Sequence, residues 1–315
     1  LFKEGDAWKQ RLKPLMTRFN PQAVAMGEAH VQSVIEEHLQ GWRGGRAGSD
    51  LFAEVTALGL RIALVTGYNL DPDDRHVKEF GETLVAYKAS TMNPDARRRL
   101  DEFSLDWRKA RDLPRVSLAF YEFHRHVRRL DALVREIARR RPWADPAREG
   151  WFQSLTGAGL EGSALTNELN HLYGAFTAAD YTTACALGEL AHAPAWMEKL
   201  RGAEADRAAT LVLKETSRRY PVAMVIYREL GEPLDIGGET FPAGTLVMAL
   251  PYALHHDPAW WERPTEFDPG RWERGVGERA EAAYEPFLKG PRRCIGQDFA
   301  QQQMRVVLTS IFRRF

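Results

Sequence analysis

Near its C-terminal end the chain reads Phe287-Leu288-Lys289-Gly290-Pro291-Arg292-Arg293-Cys294-Ile295-Gly296, a turn rich in Gly and Pro that runs into a helix-periodic segment. Any fold that accepts this stretch must deliver a sulfur to a helix start. There the unpaired backbone N–H groups and the positive end of the helix dipole favour a thiolate and can donate hydrogen bonds to it. Gly290 and Gly296 suit a backbone that turns sharply and lets a ligand come close, and Arg292 offers a planar fork of donors for a carboxylate. Taken alone, a cysteine at a helix start is more simply a small buried hydrophobe.

The remaining pattern is dominated by helix. Apolar residues recur at three- and four-residue intervals from Asp6 to about Gly44, broken at Asn20-Pro21, which predicts two consecutive helices. The same period predicts helices over 50–67, 74–89, 95–113, 115–141, 160–192 and 203–220, with Asp, Ser or Asn near their starts. Residues 222–250 read as short strands joined by turns, a small sheet; 255–272 read as a meandering loop; the last helix begins near Cys294. No repeat or flexible linker divides the 315 residues, so the expectation is a single, mainly α domain with a minor β part. The 43 basic and 43 acidic side chains cancel, which removes any overall field for nucleic acid or an anionic membrane, and a monomer is expected. Two cysteines in unlike contexts, Cys185 and Cys294, argue against a disulfide framework and for a reducing, cytoplasmic setting. The sequence has no signal peptide pattern and no long apolar run, though an N-terminal anchor in a preceding segment stays open.

The Phe-x-x-Gly-x-Arg-x-Cys-x-Gly spacing resembles the haem-binding signature of the cytochrome P-450 family, with Phe287, Gly290, Arg292, Cys294 and Gly296 at its defining positions. The resemblance implies the family's mainly α fold, haem b (iron protoporphyrin IX) as cofactor, Cys294 as the thiolate ligand to iron, and Arg292 on a haem propionate. It runs from Trp8 to the final helix and implies a truncated fold, starting near the family's C helix and ending in its L helix. Glu215 and Arg218 of Lys214-Glu215-Thr216-Ser217-Arg218, at i and i+3, would by themselves be a surface pair worth well under about 1 kcal/mol. They are similar to the family's Glu-x-x-Arg motif, which together with Arg271 of Phe267-Asp268-Pro269-Gly270-Arg271-Trp272 implies a buried structural triad. Arg228 matches the family's propionate-holding arginine. Trp8 is similar to its propionate-binding tryptophan; the basic residue expected four positions on is Leu12, so the neighbouring Lys13 or Arg11 is taken for that contact. The stretch Tyr252 to Pro258 also resembles the family, with His256 where an arginine is usual.

The resemblance identifies Asn170 to Thr183 as the helix across the distal haem face, where the family carries an acid and an alcohol that relay protons to bound oxygen. Here two registers are open. The gapless one fits both flanks and puts Thr177 and Ala178 at those positions. At about 100° per residue Ala178 and Thr182 share a face and Asp180 points away. Thr182 could then serve one turn along, and His171, on the same stripe, is either a distal acid or base or a satisfied core histidine. Gly174, Ala175, Val222, Ala223, Met224 and Val225 fall where the family lines its substrate pocket; the plainer reading of the last four is a buried strand. The function expected is insertion of one oxygen atom from O2 into an apolar small molecule. Its electrons would come from an acidic ferredoxin or flavoprotein reductase, steered to the thiolate side by Arg11, Lys13, Lys289 and Arg293. The atypical distal helix keeps two alternatives in view: a hydrogen peroxide-using peroxygenase, and a non-catalytic haem or ligand-binding protein.

Overall fold

The structure is a computed structural model and describes residues 13–42, 50–92, 113–145 and 148–315. Helix α1 (Pro21–Gln40) starts at the predicted break: Asn20 Oδ1 accepts the Ala23 N–H at 2.8 Å, and Pro21 takes a first-turn position where its missing N–H costs nothing. Asp50 and Asp74 do the same for α2 (Leu51–Ile62) and α3 (Arg75–Met92), accepting N–H groups of Phe52 and His76 at 2.9 and 2.8 Å. Helix α4 (Leu113–Arg140) follows, its Arg129, Arg135 and Arg139 exposed and ion-paired at the surface. Then come α5 (Trp151–Gly157), α6 (Gly162–Leu190), α7 (Pro194–Arg201) and α8 (Ala205–Arg219). The helix expected over 95–113 lies almost wholly outside the described residues.

The β part departs from the expected single sheet. Strands β1 (Ile226–Glu229) and β4 (Leu246–Ala249) pair antiparallel with Arg228 opposite Val247, while β2 (Leu234–Ile236) and β3 (Glu239–Phe241) form a separate two-stranded ladder. The second ladder closes through Gly237 and Gly238 at φ +61° and +91°, values that L side chains rarely adopt, so the hairpin turns back on itself before it can join the first. Short helices α9 (Pro251–His256) and α10 (Arg271–Arg274) overlap the two ends of the segment read as loop, 255–272, and α11 (Gly277–Ala283) follows it; α5, α7 and these span too few turns for a period to be legible. The final helix α12 (Gln297–Arg314) begins three residues after Cys294, with Gly296 at its N-cap, and a 3-10 turn (Gly290–Arg292) stands before it.

Two compact units result, one from residues 1–38 and 56–177, the other from 39–55 and 178–315. In the first, Trp151 stacks on Phe19 with ring centroids 4.7 Å apart and meets Tyr68 and Phe176 at its edges. The buried Tyr68 hydroxyl donates to the Leu169 carbonyl of α6 at 2.7 Å. Between α2 and Tyr68 the backbone widens into a π turn (Ala63–Gly67), closed by the Tyr68 N–H on the Ala63 carbonyl at 2.8 Å. In the second unit α8 packs between α7 and α12 around Ala186, Leu190, Leu200, Val212, Met304 and Leu308, and Phe287 is packed at the margin of that core. A smaller cluster gathers Trp261, Ala280 and Ala283 with Trp272 and Tyr284. Among the described residues no helix is long and apolar enough to cross a membrane.

Candidate functional site

The second unit is organised round one carboxylate. Glu215 and Arg218 on α8 are fully buried and Arg271 is 6% exposed. Glu215 accepts from Arg218 Nε at 3.1 Å and Nη2 at 2.9 Å, from Arg271 Nε at 3.0 Å, from the Trp272 indole at 3.0 Å and from the Asp268 N–H at 3.2 Å. The guanidinium edges turned away from Glu215 hold backbone. Arg218 Nη1 donates to the His255 carbonyl at 2.7 Å, and Arg271 Nη1 to that of Glu262 at 2.7 Å. An irregular segment thus finds partners for carbonyls that no strand or helix satisfies. The structure brings together the three triad residues the sequence motif picked out, and their contacts are not those of the surface pair the spacing alone suggests.

His255 closes this network onto the cysteine loop. Its ring is fully buried, with Nδ1 3.1 Å from the Arg218 carbonyl and Nε2 3.0 Å from the Glu285 N–H. An amide N–H can only donate, so Nε2 accepts and Nδ1 carries the proton given to Arg218. Desolvation, with the Arg218 backbone contact opposing it and the charges of Arg218 and His256 adding to it, lowers its pKa from 6.5 to about 4. His256, by contrast, stacks on Tyr252 at the surface and contacts the Tyr252 carbonyl at 2.8 Å.

From Glu285 the chain passes through Pro286 into the loop. The Cys294 N–H donates to the Phe287 carbonyl at 2.9 Å and the Arg293 N–H to that of Gly290 at 3.1 Å, so the ten-residue turn is closed on itself. Two residues in it are left-handed, Gly290 at φ +70° and Leu288 at φ +61°; for a leucine that conformation is costly and marks a position held by its surroundings. Lys289 reaches back to the Ala282 carbonyl at 2.6 Å and Arg293 to Gln297 at 2.8 Å. Cys294 is exposed on one side and crowded on the others. Desolvation raises its pKa, against the Gly296 N–H and the Arg293 charge, which lower it. The helix-start effect expected for this thiol is therefore present and outweighed: left to the protein alone, the proton stays.

Helix α6 carries a narrow open stripe through an otherwise buried wall. Gly174, Ala175 and Gly188 are exposed and His171, Ala178, Tyr181 and Cys185 partly so, while Leu172, Tyr173, Phe176, Thr177, Ala179, Asp180, Thr182 and Thr183 are buried. These open positions recur at three and four residues, one face of the helix, and its glycines leave room: a Cβ at Gly174 or Gly188 would meet nothing within 4 Å. Thr182 does not stand on the stripe as expected. It lies at the margin, 4% exposed, and directs its hydroxyl to the Ala178 carbonyl at 3.2 Å; Thr177 likewise donates to Gly174 at 2.9 Å.

Other expected contacts fall as follows. Val222, Met224 and Val225 are 47%, 45% and 38% exposed, so the buried-strand reading of 222–225 fails: these residues precede β1, and Ala223 is partly covered. Arg228 is exposed on β1 and donates to the Tyr227 carbonyl at 2.7 Å; Arg292 is partly exposed in the 3-10 turn; Lys13 is exposed; Trp8 and Arg11 lie outside the described residues. Sequence reasoning missed His255 as a site residue, for its partners are distant backbone groups that no spacing encodes.

With this geometry in place, comparison with known proteins converges. Residues 172–315 match the family described as Cytochrome P450. Cytochrome P450 3A11 of Mus musculus is 41% identical over 106 residues, 33% of this chain and 21% of the relative. Cytochrome P450 4V2 of Mus musculus is 39% identical over 126 residues, covering 39% and 23%. The taurochenodeoxycholic 6 alpha-hydroxylase of Sus scrofa is 40% identical over 107 residues, covering 34% and 21%. The match thus spans about a fifth of the length of these relatives. In fold, a 6-coordinated cytochrome P450 from Thermus thermophilus superposes on 99% of this chain and 74% of its own, with a TM-score of 0.73 at 24% identity. Residues 172–315 thus resemble the cytochrome P450 family, whose cofactor is haem, and the fold agrees over the wider chain. The residues present fit that group: a sulfur reachable from solvent at a helix N-terminus with an amide donating to it.

Two outcomes follow from the buried network. Glu215→Gln keeps the shape but leaves two buried guanidiniums without their counter-charge, and should lower unfolding stability by about 3–5 kcal/mol in urea titrations. For His255, the unfolded ring takes a proton below about pH 6.5 and the folded one only near 4, so its contribution is complete above that window and is lost as pH falls through it. The shift corresponds to about 3 kcal/mol at most. Urea midpoints of wild type and His255→Gln, compared from pH 7 to pH 4, should converge as the pH drops; parallel curves would contradict the assignment.

Proposed function

We propose that residues 1–315 form a haem-binding domain in which Cys294 ligates the iron as a thiolate, and that the protein is a monooxygenase acting on an apolar organic molecule. The observation that carries this reading is the solvent-reachable Cys294 sulfur, held at the start of α12 by a closed loop in the part of the chain that matches the family. Haem bound there would supply a metal that keeps the sulfur deprotonated and a centre able to activate oxygen. The protein's share is positional. The Gly296 N–H donates toward the sulfur and tempers its charge, Phe287 anchors the loop to the core, and Arg292 and Arg228 are guanidiniums suited to carboxylate partners. Gly174, Ala175 and Ala178 leave a shallow surface along α6. The exposed Val222, Met224 and Val225 favour an apolar substrate, in keeping with one relative being named a hydroxylase. Electrons would come from a separate acidic ferredoxin or flavoprotein, for which Lys289 and Arg293 beside Cys294 offer positive charge. Both cysteines are free thiols, which suits a reducing, cytoplasmic setting.

The distal helix favours keeping a peroxygenase as the second reading. Ala178 has no polar side-chain atom, and Thr177 and Thr182 direct their hydroxyls into their own helix, so neither alcohol is offered to the open stripe. His171, Tyr181 and Cys185, partly exposed there, carry side-chain groups able to hold or move a proton.

Cys294→Ser should abolish the red-shifted Soret band of the ferrous carbon monoxide complex while the protein stays folded; a band unchanged in position rejects the ligand assignment. Product formed with hydrogen peroxide at a rate at least tenfold above that with reductase and NAD(P)H would select the second reading over the first.

A further inference from the structure

We propose that His255 is a positioning residue for the thiol: by accepting the Glu285 N–H, it transmits the rigidity of the Glu215 network to the loop that carries Cys294. The argument rests on a continuous path of hydrogen bonds. Glu215 fixes the Arg218 guanidinium through two contacts, and Arg218 grips His255 twice, with Nη1 on its carbonyl at 2.7 Å and with its own carbonyl on the ring Nδ1 at 3.1 Å. The opposite ring nitrogen accepts the Glu285 N–H at 3.0 Å, and two residues on, the Phe287 carbonyl accepts the Cys294 N–H at 2.9 Å. The ring is held flat between neighbours, stacked on Tyr284 at 5.8 Å and met edge-on by Trp261 at 6.3 Å, so it cannot rotate to another partner without opening the cluster. Glu285 is also the residue whose carboxylate meets Lys289 within the loop, at 3.2 Å, so its backbone position bears on both ends of the turn.

A ring nitrogen and a side-chain amide can be exchanged so as to keep one contact and drop the other. Glutamine places an oxygen near the Nε2 position and keeps an acceptor for Glu285; asparagine reaches only the Nδ1 position and keeps the donor to Arg218. The inference rests on Cys294 being the ligand, and the experiment separates the two. In the full chain, amide exchange at Glu285 is followed by NMR in the ferrous carbon monoxide state, alongside the position of the Soret band. Wild type and His255→Gln should agree within about threefold in exchange and share the red-shifted band. His255→Asn should exchange at least tenfold faster at Glu285 and convert part of the band to the position of a complex without thiolate. Equal behaviour of the two variants, or loss confined to the glutamine variant, overturns the role of His255. Absence of the red-shifted band in wild type instead overturns the ligand reading, and the exchange data still decide the positioning. Should both variants unfold, nitrogen-15 spectra of wild-type histidine decide: Nδ1–H supports the proposal and Nε2–H overturns it.

Discussion

A single buried carboxylate, Glu215, makes the second unit possible. It lies among two guanidiniums, an indole N–H and a backbone N–H, all within 3.2 Å, in a site from which water is excluded. Burying three charges costs more than their attraction returns unless nearly every donor and lone pair finds a partner. Here the far edges of Arg218 and Arg271 take the carbonyls of His255, Glu262, Arg263 and Glu266, so desolvated charge and desolvated backbone satisfy each other. The segment from His255 to Trp272 has little regular structure and is nevertheless fixed in place.

That fixity reaches the chemistry through short links. The cysteine loop is not a helix or strand and contains a left-handed leucine, so it has little intrinsic reason to hold one shape. It is held from outside, by Phe287 against the core of α8 and α12, by Lys289 on Ala282, and by the His255 contact at Glu285. The cysteine loop is thereby tied to the buried core and to the charge network around Glu215. Its acidity is set by competition: protein packing raises the pKa and the helix-start amide lowers it, and packing wins.

Helix α6 faces the opposite problem. A helix of this length would normally bury a broad face, and this one does, apart from a line of small or partly exposed residues at one in every three or four positions. Ala178 stands on that line and offers no polar side-chain atom. The hydroxyls nearby are satisfied against backbone carbonyls one turn earlier, a stable arrangement for a helix.

Much of this was legible in the residues themselves. Asn20-Pro21, Asp50 and Asp74 announce helix starts because capping is local, and a ten-residue signature with five defining positions needs no tertiary contact to be recognised. The Glu-x-x-Arg pair was visible too, but its meaning was not: the same spacing on an exposed helix would be a weak surface pair. Two ladders in place of one sheet, the π turn before Tyr68, the covered Thr182 and the role of His255 were beyond reach. Each depends on which distant backbone group or side chain comes to lie alongside, and such meetings are encoded by the packing of the whole unit. Sequence by itself determined the longer helices and the signature of the cysteine loop; only the tertiary structure decided which charges are buried and which carbonyls they hold, because desolvation is a property of surroundings.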